Sequence, residues 1–542
     1  MYWQGRAHFT IFDSSFGDGR RFEALCAAWR ADPQRSARLH YIALDAGRLP
    51  GMHRIPQLDA RITLDLVALP LNGALAQLDA RLNAIFLRGD DAPDASFART
   101  LARLCEPGAA LQAHALTLVQ THALSGAGFA CMTDPDGGLR GSFTTRKPPS
   151  PWARQAQAER RAIVIGAGLA GSAACERLTH RGWQVTLVER HAHPAGEASG
   201  NLAGIYMPLL SRDDNIMTRL TRAAFLYAGR YWEGLDGIAG QACGVLQLAR
   251  DSGHADVQRA IAAAHHYPPD YARWLDSAEA GAMLGSAAPD GAWLFPRAGW
   301  AQPSSVCRAM LARCGDRLTQ RLGTGPVTLQ RGGAEWVVLN SAGDALAQAP
   351  VVVVASGTGA RTMAQTCALP LDSVRGQVTH LAQGQVPALP FVLCREAYLT
   401  PGPDGTHSLG ASYDAHGDPQ LRADSQLQNL EKIRSLLGDP GIGIDAPLAG
   451  RVGFRCVAPD RLPLVGALPA QPAQGRIERL RDVTRAAGLY GLLGYASRGL
   501  TWAPLAAELL ASQLDNEPLP LEAELAEALD PARFIVRARR RV

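Results

Sequence analysis

With 542 residues, 47% of them hydrophobic and 19% charged, the chain has the composition of a folded protein of two or three domains, each able to bury its own core. A net charge of +4 is too small to argue by itself for nucleic acid, and because lysine is confined to Lys147 and Lys432 the arginine excess is read as coding background. The ten cysteines show no Cys-x-x-Cys pair or zinc-like spacing, no basic-then-apolar leader opens the chain, and the longest apolar window, 162–175, is too short to span a bilayer. A soluble cytoplasmic protein with buried, reduced thiols is expected, with a monomer favoured and no membrane partner.

Residues 1–145 read as a first α/β domain. His8 to Phe12 forms a strand, 14–19 a glycine loop, Arg21 to Arg30 a helix with apolar positions Phe22, Leu25, Cys26 and Trp29, and Leu39 to Leu44 a second strand ending at Asp45. Ile62 to Leu66, Ala84 to Leu87 and Ala109 to Gln112 are later strands, with a helix from Ser96 to Leu104. A glycine loop after the first strand (Gly17, Gly19) and an acid after the second (Asp45) is how S-adenosylmethionine-dependent methyltransferases hold their cofactor. Another α/β domain with a tight first turn has the same pattern, and the two readings stay open.

Three prolines in Arg146 to Trp152 break any regular element, so 146–159 is a linker and a second domain, 160–542, begins beyond it. That domain opens on Arg161 to Glu189: a β-branched run, the turn Gly166-Ala-Gly168-Leu-Ala-Gly171, a small-residue helix, and a second run closing on an acid. Gly166 allows the tight turn, Gly168 close approach of a pyrophosphate, and Gly171 close packing of helix on strand, while Glu189 is placed for ribose hydroxyls. Next come the loop carrying Ser199, Gly200, Asn201 and Gly204, a helix from Asn215 to Gly234, and the run from Pro350 that empties into Gly357, read as a buried parallel strand. The turn-rich stretches 293–302 and 374–412 suggest a mostly antiparallel substrate subdomain. Finally, 488–501 reads as a strand and the Gly494 turn, followed by a helix from about Trp502 through Leu514, with Ser497, Gly499, Leu500 and Thr501 leading into a helix N-terminus that would stabilise negative charge on a reduced flavin.

With these residues in view, the chain resembles the bifunctional tRNA 5-methylaminomethyl-2-thiouridine biosynthesis (MnmC) family. The resemblance is carried by Ala198-Ser-Gly-Asn201, Pro208-Leu-Leu-Ser211, Val374-Arg-Gly-Gln-Val378, Tyr398-Leu-Thr-Pro401, Gly410-Ala-Ser-Tyr413, Asp460-Arg-Leu-Pro-Leu-Val-Gly466 and Ser497-Arg-Gly-Leu500. It implies an α/β chain with an N-terminal Rossmann-like methyltransferase-type domain, then a glycine-oxidase or D-amino-acid-oxidase type of FAD domain with a mixed-sheet substrate subdomain. The implied substrate is tRNA carrying a carboxymethylaminomethyl group on its wobble uridine. Oxidation of the secondary amine by FAD and hydrolysis of the imine leave an aminomethyl group and glyoxylate. Arg455 stands where that fold places a carboxylate-binding arginine, with Arg498 placed for a second contact and Tyr398 to close over the substrate. The other reading of Arg455 is an ion pair with an acid such as Asp460.

The methyltransferase half departs from the family. The family loop reads acid-x-Gly-Phe-Gly-x-Gly, whereas Asp13-Ser-Ser15-Phe-Gly17-Asp-Gly19 has serine at the first glycine. Arg88 stands where the family has the acid of Leu-Asp-Gly-Phe-x-Pro, and a cation there repels a protonated amine; Asp90 and Asp91 are the candidate substitutes. S-adenosylmethionine is thus a doubtful cofactor, and a packing or tRNA-docking role is the alternative. Two other functions fit the sequence: a free glycine or D-amino-acid oxidase, and a catalytically silent flavin-containing tRNA-binding protein. The tail 533–541 reads as a solvated basic terminus or a phosphate contact.

Overall fold

The computed structural model describes residues 3–57, 59–89, 95–135, 137–145, 157–414, 417–443, 448–471 and 476–539. Asp90, Asp91, most of the linker and the last arginines of the tail lie outside the described residues. The chain forms two compact units, Met1–Ala158 with Glu508–Ala528, and Glu159–Ala507 with Leu529–Val542.

In the first unit the elements run β1 (His8–Asp13), α1 (Arg20–Ala31), β2 (Arg38–Leu44), β3 (Gly51–Ile55), β4 (Ile62–Ala68), α2 (Leu71–Gln77), β5 (Leu82–Arg88), α3 (Ala95–Leu104), β6 (Cys105–His114), α4 (Leu118–Gly126), β7 (Phe129–Thr133) and β8 (Leu139–Phe143). The sheet order is β3-β4-β2-β1-β5-β6-β8-β7. Strands β4, β2, β1, β5 and β6 are parallel, with β3 added antiparallel at one edge and the β7–β8 hairpin at the other. This is a doubly wound sheet with a switch point at β1. Because side chains alternate along a strand, β1 serves two cores: Phe9 and Ile11 join Trp29 and Tyr41, whereas Phe12 joins Ile42, Phe97 and Leu101.

The segment Glu508–Ala528, read from the sequence as part of the second domain, belongs to this unit. Its anchor is Arg54 on β3, whose guanidinium donates to both oxygens of Asp65 (2.8 and 2.7 Å), to Glu508 (2.9 Å), to Ser512 Oγ (3.0 Å) and to the Pro518 carbonyl (2.9 Å). Arg38 on β2 lies 2.7 Å from Glu517. All of these side chains are buried, so the ions are held by one another and not by water.

The second unit is built on β9 (Arg161–Ile165), α5 (Leu169–Thr179) and β10 (Gln184–Val188), within a sheet ordered Leu318–Arg321, β10, β9, Val351–Val354, Arg485–Leu493, Leu464–Pro469. The first five strands are parallel and the last is antiparallel. Val351 to Val354 are fully buried, as a central strand covered on both faces requires. A second sheet of eight strands is antiparallel except where Val245–Leu248 runs alongside Val392–Cys394. Among its strands are Tyr398–Thr400, Asp372–Leu381 and Ala449–Val457.

Two details correct the sequence reading. Helix Gly499–Leu514 starts at Gly499 and not near Trp502. Of the ten free cysteines, Cys367 is exposed, although burial lifts thiols such as Cys26 and Cys456 to about 11. No helix among the described residues is long and apolar enough to cross a membrane.

Candidate active site

The carboxyl ends of the parallel strands in the second unit open into one cavity of about 470 Å³. Ile165–Gly166 follow β9, Val188–Arg190 close β10, Thr324–Val327 follow the edge strand, Ala355–Gly359 follow the valine strand, and Leu492–Leu500 bridge the last parallel strand and its helix. A crevice where the strands end and helices begin is where such a sheet holds ligands.

The first βαβ unit has the shape a dinucleotide requires. Gly166 has φ +105°, and a Cβ there would lie 2.7 Å from the Ala355 carbonyl oxygen. Gly168 is the N-cap of α5 and has no side chain to cover the first amides, so the helix N-terminus faces the cavity ready for phosphate. Ser199 Oγ accepts the Leu169 N–H at 3.1 Å, tying the following loop to the same turn. Glu189 is buried at the cavity wall and accepts backbone N–H groups of Ala167 (2.7 Å) and His191 (2.9 Å). Each carboxylate oxygen has a further lone pair, so ribose hydroxyls are within its capacity. These residues fit FAD: an acid at the ribose end, a glycine turn and helix N-terminus in the middle, and helix Gly499–Leu514 presenting Gly499 and Leu500 at the far end.

Most of the sequence-read residues line this cavity: Gly166, Gly168, Glu189, Ser199, Asn201, Gly204, Gly357, Gly494, Ser497, Gly499, Leu500, Tyr398, Arg455 and Arg498. Three do not. Gly171 sits behind the turn, where a Cβ would collide with the Gly166 carbonyl; Gly200 lies against the Arg451 guanidinium; Thr501 is buried in the helix. Sequence reasoning missed Arg451, which donates to the Gly196 carbonyl at 2.8 Å and to Asn201 Oδ1 at 3.3 Å and so pins the loop that Gly200 leaves room for.

At the other end lie Tyr398, Arg455 and Arg498. Arg455 pairs in register with Val374 across the strands Asp372–Leu381 and Ala449–Val457, and its guanidinium lies over Gly376, a diagonal neighbour on the same face. Its Nη1 donates at 3.3 Å to the carbonyls of Arg375 and Ser412, and its Cζ lies 5.3 Å from the Tyr413 ring centroid. Among the described residues Arg455 has no carboxylate partner. Asp460, the alternative partner, is taken by Arg533 (2.8 and 2.9 Å) and Arg537 (2.6 Å), so these tail arginines serve the fold. Burial lowers the pKa of Arg455 and of Arg498 from the ordinary guanidinium value, yet an arginine stays charged. Among the described residues the Arg498 guanidinium reaches only the Met207 carbonyl, at 3.5 Å. Burial, opposed by Arg455, raises Tyr398 to about 12, so its phenol is a proton donor at neutral pH. The site therefore offers two half-buried cations and a hydroxyl donor, a set suited to a carboxylate.

Gly376 carries a testable consequence, because a Cβ at that position would collide with the Arg455 guanidinium. Gly376→Ala is expected to keep its flavin and to raise the half-saturating concentration of a glycine-type substrate about tenfold, an overpacking effect of roughly 1–2 kcal/mol. Anaerobic titration followed by flavin absorbance measures it.

In the first unit, Gly17 and Gly19 have φ of +60° and +81° and form the turn after β1, and Asp45 follows the neighbouring β2. The Asp45 carboxylate accepts from Gly47 N (3.2 Å) and Arg48 Nε (2.7 Å). Asp13 is buried under Arg21 Nη1 (2.6 Å), with Tyr41 Oη at 2.5 Å and Ser15 N at 3.1 Å. The Arg88 N–H donates to Ser14 Oγ at 3.0 Å, closing the end of β1 onto the end of β5.

Residues 161–513 match the FAD dependent oxidoreductase (DAO) family. The chain is 41% identical to the tRNA 5-methylaminomethyl-2-thiouridine biosynthesis bifunctional protein MnmC of Azoarcus sp. (strain BH72), covering 99% of this chain and 92% of the relative. The MnmC protein of Paraburkholderia phytofirmans (strain DSM 17436 / LMG 22146 / PsJN) is 39% identical with the same coverage. Among solved structures, glycine oxidase from Geobacillus kaustophilus aligns with a TM-score of 0.57 at 20% identity, over 69% of this chain and 99% of its own. Iminodiacetate oxidase from Chelativorans sp. BNC1 aligns with a TM-score of 0.54 at 24% identity, over 67% and 98%. The sheet, its ligand crevice and these likenesses agree: the chain belongs to the FAD dependent oxidoreductase (DAO) family and, over nearly its whole length, to the MnmC family of bifunctional tRNA 5-methylaminomethyl-2-thiouridine biosynthesis proteins.

Proposed function

We propose that the second unit removes the carboxymethyl group from 5-carboxymethylaminomethyl uridine at the tRNA wobble position, leaving the 5-aminomethyl form and glyoxylate. The observation that carries this reading is Arg455, a half-buried guanidinium with no carboxylate partner among the described residues, on the wall of the crevice that begins at Glu189. A cation partly withdrawn from water gains from an anion joining it, and the glycine-like tail of this substrate brings one. When bound, FAD supplies the two-electron acceptor for the hydride on the methylene carbon, and the substrate imine then takes up water and splits into the two products. The chain's own residues hold and orient. Arg455 grips the carboxylate through paired N–H donors, Arg498 adds positive charge, and the Tyr398 hydroxyl donates from the cavity wall.

The first unit enters this proposal as a packing or docking partner without methyl transfer. Asp13 is occupied by Arg21 and Tyr41, and Arg88 replaces the acid that the family sets beside the accepting amine. Incubation with labelled S-adenosylmethionine and tRNA bearing the aminomethyl uridine is expected to give no transfer; robust labelling would refute this assignment. For the flavin step, tRNA from cells lacking the protein is expected to accumulate the carboxymethylaminomethyl nucleoside, and an unchanged nucleoside profile would refute it. If a free amine such as glycine were the substrate, it would bleach the flavin anaerobically as fast as the modified RNA does.

A further inference from the structure

Tyr413 is 63% exposed and is the one aromatic among the exposed large hydrophobic side chains of the described residues. A single exposed apolar side chain is ordinary on a protein surface, but the setting of this one is not. The backbone on both sides is pinned: Ser412 N donates to the Gln377 carbonyl at 3.0 Å, and Arg375 and Asp414 exchange N–H···O bonds at 3.0 and 3.1 Å. The Asp414 carboxylate is held by Arg375 (2.9 Å) and Ser412 Oγ (2.8 Å). This hydrogen-bonded segment, which follows the strand His407–Gly410, therefore presents the ring to solvent, with one face turned to the guanidinium of Arg455, which itself lines the cavity.

The polymer-bound substrate of the proposed reaction poses a geometric demand at this rim. Its glycine-like tail would enter a cavity of one-ligand size that the cofactor would also occupy, so the nucleotides next to the reacting uridine stay outside. Bases lifted from their stack in a single-stranded loop are recovered on aromatic side chains, and every base offers a face for this. We infer that the Tyr413 ring is a stacking platform for a nucleobase flanking the reacting uridine, set beside Arg455 so that one rim element receives the RNA while the cation receives the carboxylate. The inference rests on the tRNA reading above and adds the means by which the flavin unit tells a loop from a free amine.

The test follows anaerobic flavin reduction by two substrates, an anticodon stem-loop carrying the modified uridine and the modified nucleoside alone. Stacking is worth about 1–3 kcal/mol per base on alanine substitution, so Tyr413→Ala should raise the half-saturating stem-loop concentration about 5- to 150-fold, with the effect on binding and not on the limiting rate. Tyr413→Phe and Tyr413→Trp should bind the stem-loop within about twofold of the parent, since a face for stacking remains. The nucleoside, which lacks flanking bases, should lose far less affinity than the stem-loop in Tyr413→Ala. Equal losses for both substrates would show that Tyr413 acts only by steadying Arg455 and would overturn the stacking role, as would unchanged stem-loop affinity. No reduction of the parent protein's flavin by the stem-loop would overturn the substrate reading itself, and the stacking role with it.

Discussion

Arg455→Ala is expected to retain its flavin and to lose roughly a hundred- to a thousandfold in kcat/KM for the modified tRNA, because truncating one partner of a hydrogen-bonded charge pair that the bound substrate closes off from water removes about 3–4 kcal/mol. The argument is electrostatic and geometric. The guanidinium is half-buried, it rests over a glycine, and among the described residues its only side-chain hydrogen bonds are two carbonyl contacts at 3.3 Å, so its better donors are free for a ligand. Arg455→Lys should recover little, since a point charge does not reproduce two parallel N–H donors. Rapid-mixing measurement of flavin reduction separates the effect from cofactor loss. A variant within about threefold of the parent would place the substrate carboxylate elsewhere, with Arg498 the next residue to test.

Arg54→Met is expected to destabilise the first unit by about 3–5 kcal/mol, the range seen when one member of a buried ionic cluster is removed and its partners stay behind. Asp65 and Glu508 share this guanidinium, and both are buried. Burial raises the Asp65 pKa against the pull of Arg54. The variant should therefore bind a proton that the parent does not. Its lost stability should be partly restored at mildly acidic pH, because a carboxyl group with a raised folded-state pKa favours folding where it is protonated. Denaturant unfolding at two pH values measures both effects, and a loss below about 1 kcal/mol would mean that water already reaches the cluster.

Local and long-range features of the chain were not equally legible. The β9-α5-β10 unit could be read because each signal is local: a β-branched run, glycines at a turn, small residues on a helix, an acid at the next strand end. The strand 351–354 could be read for the same reason. The substrate end could not be assembled from spacing. Gly376 and Arg455 meet only through the antiparallel register that sets Val374 opposite Arg455, and sequence separation says nothing about register. Arg455 and Tyr398 were named through family resemblance, whereas Gly376 and Arg451 were passed over because a glycine in a strand and one arginine among many look ordinary. The pairing of the acids in 508–528 could not be read either, because their partners Arg38 and Arg54 stand more than four hundred positions earlier.

The excursion of Glu508–Ala528 bears on how this chain can be divided. A cut in the linker does not yield two self-sufficient halves: the amino-terminal piece loses Glu508 and Glu517, and the remainder keeps those acids without their arginines. Pruning the front of such a gene thus exacts a folding penalty unrelated to methyl transfer. That gives natural selection a reason to preserve the sheet that does not depend on its chemistry.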